Sequence, residues 1–209
     1  DTSHDDASAI RDSYHYIVTQ GPNARCLARQ RDVHQLAMDA TNADGLVLEF
    51  GVFFGHSIRY LASLTKGSVH GFDSFEGIPE AWFKDEQAGS YSTAGNLPPV
   101  PDNVELHVGW FNETLPGFVK EHPEPIRFLN IDCDIYSSTK CIFDELGPQI
   151  VPGTIIVFDE YICYPGWRDH EYKAFQEFVA ARNVSYEYLA YSLFSRQTVV
   201  RISDLNPID

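Results

Sequence analysis

Residues 46–57, Leu46-Val47-Leu48-Glu49-Phe50-Gly51-Val52-Phe53-Phe54-Gly55-His56-Ser57, constrain this chain more than any other stretch. Leu46 to Leu48 is an apolar run suited to a buried strand, and it leads into an acid and two glycines. From Ser57 the period changes: Ile58, Leu61, Ala62 and Leu64 recur as one face of a helix. Strand, glycine turn and helix make an α/β unit, and open α/β sheets bind ligands outside the carboxyl ends of their strands. Glycine allows the sharp turn and a close backbone approach to a ligand. The glycines follow neither the G-x-G-x-x-G dinucleotide spacing nor the G-x-x-x-x-G-K-[ST] phosphate loop.

The rest of the chain repeats the unit. Two helices, Ala9–Thr19 and Ala24 to about Thr41, precede the first strand and are expected to cover the sheet or the ligand cleft. Residues 1–44 are read as this preamble and 45–209 as the main body of a single domain. Strands follow at Val69–Asp73, Val104–Val108, Phe128–Ile131 and Thr154–Phe158, separated by helical patterns, one of them a short helix bounded by Pro116 and Pro123. An amphipathic helix from about Asp169 to Ala181 leads to two last strands, Tyr186–Leu193 and Gln197–Ile202. The link between these two is too short for a parallel crossover, so they form an antiparallel hairpin. The expectation is an α/β, Rossmann-like three-layer αβα sandwich, with a seven-stranded, mostly parallel sheet closed by that hairpin. Residues 74–103 carry many Gly and Pro residues with Trp82, Phe83 and Tyr91 among them. Such a loop is read as a lid or substrate wall, against the plainer reading of a surface excursion.

The net charge of −15 narrows the partners. It disfavours a broad grip on nucleic acid or an anionic membrane surface, and suits a neutral or cationic ligand. No apolar run reaches the length of a membrane span, and the first residues lack a signal-peptide pattern. Cys26, Cys133, Cys141 and Cys163 form no C-x-x-C pair and read as reduced, mostly buried thiols, hence a cytoplasmic location.

Acids stand at successive strand ends: Glu49, Asp73, Asp132 with Asp134, and Asp159 with Glu160. Asp73 is placed to accept ribose hydroxyls, or alternatively to cap the next turn. The pairs after the fourth and fifth strands converge on one edge, where like charges repel unless a cation or proton lies between them. Oxygen ligands without His or Cys suit Mg²⁺ or Mn²⁺. Alternatively, Asp134 caps the following helix and Glu160 faces solvent.

The motifs Glu49-Phe50-Gly51, Gly71-Phe72-Asp73-Ser74-Phe75-Glu76-Gly77, Gly109-Trp110-Phe111, Asp132-Cys133-Asp134-Ile135-Tyr136-Ser137-Ser138-Thr139 and Phe158-Asp159-Glu160-Tyr161 occur in that order. The set resembles the macrocin O-methyltransferase-like family of class I S-adenosylmethionine (SAM)-dependent methyltransferases, over roughly residues 30–200. The resemblance implies that Gly51 and its neighbours Phe53, Gly55 and Ser57 pass under the methionine part of SAM, and that Glu49 helps hold its amino group. It implies that Asp73 takes the ribose, Ser74 and Phe75 flank the adenine, and Gly109, Trp110 and Phe111 line its other side. Asp132, Asp159 and Glu160 would hold Mg²⁺ and through it the acceptor's oxygens; the family commonly has Asp where this chain has Glu160. Asp132 also borders the cofactor and is a candidate general base, with His170 behind it; the plainer reading of His170 is a surface residue at a helix start.

The leading expectation is therefore Mg²⁺-assisted O-methylation of a small hydroxylated molecule, a sugar or natural product. Weighed beside it are an NAD-dependent α/β enzyme, a non-catalytic SAM- or partner-binding module, and a metal-dependent hydrolase. A homodimer packed through the N-terminal helices is compatible with the pattern, which does not require it.

Overall fold

The computed structural model describes residues 2–42, 44–83 and 86–206. Its strands are β1 (Arg25–Cys26), β2 (Leu46–Phe50), β3 (Val69–Asp73), β4 (Val104–Val108), β5 (Ile126–Ile131), β6 (Ile150–Phe158), β7 (Ser185–Tyr191) and β8 (Thr198–Asp204). Its α-helices are α1 (Thr2–Gln20), α2 (Gln30–Asp39), α3 (His56–Leu64), α4 (Phe111–Glu121), α5 (Tyr136–Leu146) and α6 (Glu171–Arg182).

The strands form one sheet in the order β1-β7-β8-β6-β5-β2-β3-β4. Strand β8 runs antiparallel to both its neighbours, and every other pairing is parallel. Alternation along each strand divides the core in two. Leu46, Leu48 and Phe50 of β2 join Phe118, Phe143 and Phe175 of α4, α5 and α6 on one face. Val47 of the same strand joins Val33 of α2 and Ile58 and Leu61 of α3 on the other. Central strands are buried toward both layers, as a parallel sheet covered on both faces requires.

The expected αβα sandwich and its closing hairpin are present, with an eighth strand added. Residues 25–26 were expected to open the second helix. Instead they pair with Ala190 and Tyr191, and Leu27 N–H continues the ladder to the Tyr191 carbonyl, so α2 starts only at Gln30. Pro116 lies inside α4 rather than bounding it. All four cysteines are free; Cys133 and Cys163 are buried and Cys26 is exposed. Among the described residues no helix is long and apolar enough to cross a membrane.

The strand-to-helix junction after β2 shows how tightly the cleft edge is built. Gly51 has φ +89°, and a Cβ there would stand 1.7 Å from the Asp132 carbonyl oxygen. That carbonyl is backbone at the end of the adjacent strand and has no freedom to retreat. Gly51→Ala is therefore expected to destabilise the fold by at least ~3 kcal/mol, read from denaturant unfolding; a loss within experimental error would contradict this account of the turn.

Candidate functional site

A cleft of about 600 Å³ opens along the carboxyl ends of β2 to β6, lined in turn by Gly51, Asp73, Trp110, Asp132 and Asp159. The turn after β2 is shaped by one side chain. Asp73 Oδ2 accepts the backbone N–H groups of Val52 and Phe53, both at 2.8 Å, and Oδ1 accepts that of Phe75 at 2.7 Å. Phe53 and Phe75 are thereby held at φ +50° and +60°, a region L-residues rarely adopt. Both readings of Asp73 thus meet in one residue: it fixes two turns and still lines the cleft. A carboxylate offers about four lone-pair sites, so about one remains for a ligand.

Glu49 lies beneath this turn, fully buried. It accepts from Ser57 Oγ at 2.9 Å and from Asn130 Nδ2 at 3.2 Å, and Asn130 Oδ1 meets His34 Nε2 at 3.2 Å. Ser57 lines the cleft and Glu49 does not, so Glu49 bears on a ligand through Ser57. Burial raises its pKa to about 8, against the hydrogen bonds from Ser57 and Asn130, which lower it.

The second group of acids behaves alike. Burial, then the charge of Asp159, pushes Asp132 well above the carboxylate range. Burial raises Asp159 to about 6, Glu160 to about 7 and Asp134 to about 8. The chain answers these charges partly with its own donors. Asp159 Oδ1 accepts from Gln30 Nε2 at 3.0 Å and Gln197 Nε2 at 2.5 Å, and Glu160 Oε2 takes Arg196 Nη1 at 3.0 Å. Asp132, whose carboxyl lines the cleft, has no side-chain hydrogen bond among the described residues. The oxygens of Asp132, Asp159 and Glu160 do not all come within 4.8 Å of one another, and Arg196 pairs with Glu160.

A family described as a methyltransferase domain matches residues 48–161, more than half of the chain. The chain belongs to this family. The match spans the turn after β2, Asp73 and both pairs of acids. Among relatives of this methyltransferase-domain chain is the 8-demethyl-8-(2,3-dimethoxy-alpha-L-rhamnosyl)-tetracenomycin-C 4'-O-methyltransferase of Streptomyces olivaceus. It is 28% identical over 177 residues, a match that covers 69% of this chain and 65% of the relative, slightly under two thirds of its length. The O-methyltransferase NovP superposes with a TM-score of 0.63 over 97% of this chain and 100% of NovP, at 19% identity. The MycE methyltransferase of the mycinamycin pathway, in complex with Mg and SAH, superposes with a TM-score of 0.55 over 83% of this chain and 49% of MycE, at 17% identity. Both superpositions show the Rossmann-like fold.

Within the methyltransferase domain, Gly51, Phe53, Ser57, Asp73, Ser74, Trp110, Phe111, Asp132, Asp159 and Glu160 all line the cleft. Glu49, Gly55, Phe75 and Gly109 do not. Phe75 is buried in the apolar core, and Gly109 N–H continues the β4 edge to the Asp73 carbonyl. His170 is half-buried beside Trp82 and Tyr164, outside the cleft, with Nδ1 unpartnered among the described residues. Of residues 1–44, only Gln30 is among the cleft-lining residues described. Helix α1 packs instead on β7 and on the segment after β6, through Tyr16 to Tyr188 and Ser13 to the Cys163 N–H. Residues 74–103 do form a wall, through Gly77, Ile78, Pro79 and Tyr91. Sequence reasoning missed Gln30, Gln197 and Arg196, the donors to the acids; no motif surrounds them, and only the fold brings them to that edge.

The Glu49 network makes a stability claim with a definite sign. The folded chain keeps a proton on Glu49 up to about pH 8, whereas the unfolded chain releases it near 4.5. Its contribution to stability is level below that window and falls as pH rises through it. Glu49→Gln is expected to erase this part of the fall: melting temperatures of variant and parent converge near pH 4.5 and diverge, in the variant's favour, toward pH 8. An unchanged slope in the variant would show that Glu49 is not the titrating group.

Proposed function

We propose that this chain transfers the methyl group of SAM to a hydroxyl oxygen of a small glycosylated or phenolic natural product. The observation that carries the reading is the shared cavity: a glycine turn after β2 held by Asp73, with Asp132 at the end of the adjacent strand β5 and Asp159 at the end of β6 beyond it. The names of the relatives support an oxygen acceptor, and a rhamnosyl oxygen in particular supports a sugar.

Gly51 and Ser57 would hold the methionine end of the cofactor, the start of α3 favouring its carboxylate as helix N-termini favour anions. Asp73 takes one ribose hydroxyl with its remaining lone pair. The carboxylate-rich wall favours the cationic sulfonium. The acceptor enters along Tyr91 and the 77–79 wall, with its hydroxyl toward Asp132. The cofactor would supply the methyl group to the hydroxyl oxygen, the C–S electron pair leaving with sulfur, and Asp132 would receive the hydroxyl proton. Burial, and after it the charge of Asp159, raises its pKa, which makes its carboxylate a stronger base than a solvated one.

Asp132 and Asp159 also fit a divalent cation. Both line the cleft, Asp132 has no hydrogen-bond partner among the described residues, and Mg²⁺ often takes only one or two carboxylates. When bound, Mg²⁺ supplies Lewis-acid activation of the acceptor hydroxyl. Glu160 already shares one oxygen, Oε2, with Arg196. That ion pair favours a second reading, transfer without a metal, since a guanidinium already answers one acid charge.

Calorimetric titration with SAM, S-adenosylhomocysteine and NAD tests the cofactor. SAM and its product are expected to bind and NAD not; Asp73→Ala is expected to weaken SAM by at least about tenfold. Absence of SAM binding in the folded parent would end the methyl-transfer reading. With hydroxylated glycosides as acceptors, Asp132→Asn is expected to lower turnover by on the order of 10²-fold or more while leaving SAM affinity within about threefold. A chelator separates the two readings: turnover lost with EDTA and restored by Mg²⁺ supports the ion, and turnover indifferent to both supports Arg196.

A further inference from the structure

Away from the cleft, at the opposite edge strand of the sheet, three side chains converge that the methyl-transfer reading does not use. His70 of β3 and Glu105 of β4 stand opposite each other in register, and His107 lies two residues further along β4 on the same face. His70 Nδ1 is 3.1 Å from His107 Nε2 and 3.8 Å from Glu105 Oε2. One ligand atom from each of the three lies within 4.8 Å of those of the other two, and among the described residues no other such group of His, Cys, Asp or Glu occurs. His70 is buried, whereas Glu105 is exposed and reaches in from solvent. A third imidazole, His122, closes α4 over the same face, its ring centroid 4.9 Å from that of His70.

We propose that His70, Glu105 and His107 form a binding site for a first-row transition ion such as Zn²⁺, separate from the acids of the cleft. Zinc takes imidazole nitrogen and carboxylate oxygen at roughly 2.0–2.2 Å, so ligands on one tetrahedral ion stand about 3.3–3.5 Å apart. The observed 3.1 and 3.8 Å separations bracket that range. A hydrogen bond between the two imidazoles accounts for the first distance alone and leaves Glu105 beyond hydrogen-bond reach. The fourth position falls to His122 after a side-chain rotation, or to water. Imidazole ligands select zinc, copper or nickel over magnesium, so the two sites differ in the ions they accept. The bound ion would tie the edge strand β4 to β3, three residues before Asp73. It therefore acts as a staple on the cofactor half of the sheet.

The test is calorimetric titration of the untagged chain with Zn²⁺, alongside thermal unfolding with and without the ion. One equivalent is expected to bind and raise the melting temperature. His107→Ala is expected to weaken binding by on the order of 100-fold and abolish the thermal shift. Glu105→Gln changes an exposed side chain and gives the same direction if His107→Ala folds poorly. Asp132→Asn, in the other cluster, is expected to leave this Zn²⁺ affinity intact. The proposal is overturned if the parent binds no Zn²⁺, if both edge variants bind it as the parent does, or if Asp132→Asn removes the binding. None of these outcomes bears on SAM binding, so the site stands or falls separately from the cleft chemistry.

Discussion

The carboxylate of Asp73 is the interaction on which the cleft depends. Three backbone N–H groups from two different turns converge on it, and two of the donors, Phe53 and Phe75, sit in left-handed backbone that neither would adopt unaided. Hydrogen bonds to an ionised acceptor are stronger than neutral ones, which makes one side chain sufficient to hold both turns. The glycine at 51 then lets β2 turn hard against the Asp132 carbonyl, which brings the two halves of the cleft together. A ligand that bonds to Asp73 is thus read by both turns at once.

The other half of the cleft is governed by desolvation. Asp132, Asp134, Asp159, Glu160 and Glu171 crowd one end, and each is raised first by burial and only then, where a neighbouring charge contributes, by that neighbour. Such an arrangement is stable only with protons, cations or good donors nearby. The chain supplies amides from Gln30 and Gln197 to Asp159, a guanidinium from Arg196 to Glu160, and the Glu160 N–H to Glu171. Among the described residues Asp132 and Asp134 are left without such a donor, and both line the cavity.

Much of this was legible in the sequence because it follows from local periodicity. The apolar runs at 46–50 and 154–158 and the short link before β8 specify strands, layers and a hairpin without long-range information. Strand-end acids were legible for the same reason, since a parallel sheet gathers its carboxyl ends. What escaped was pairing that only tertiary structure creates. Arg25 and Cys26 carry no strand signal and become β1 only because β7 offers an open edge. Phe75 looks like an adenine neighbour in line with Asp73, yet a backbone turn buries it in the core. His170 follows the cleft-edge segment in sequence but turns toward Trp82 and Tyr164. Gln30 and Arg196 reach the acids from positions 129 and 36 residues away from their partners, a distance no motif spans.

The reversed direction of β8 has a consequence for how this cleft can diversify. Its neighbours end at the acid edge, but β8 begins there, so the hairpin turn before it delivers Arg196 and Gln197 to Asp159 and Glu160 together. The turn touches none of the cofactor half built on Asp73. Lengthening or shortening it by a residue would shift both donors in one move and change the charge balance at the reacting end. The turns held by Asp73 take no part in this hairpin, so its length can vary while they stay as they are.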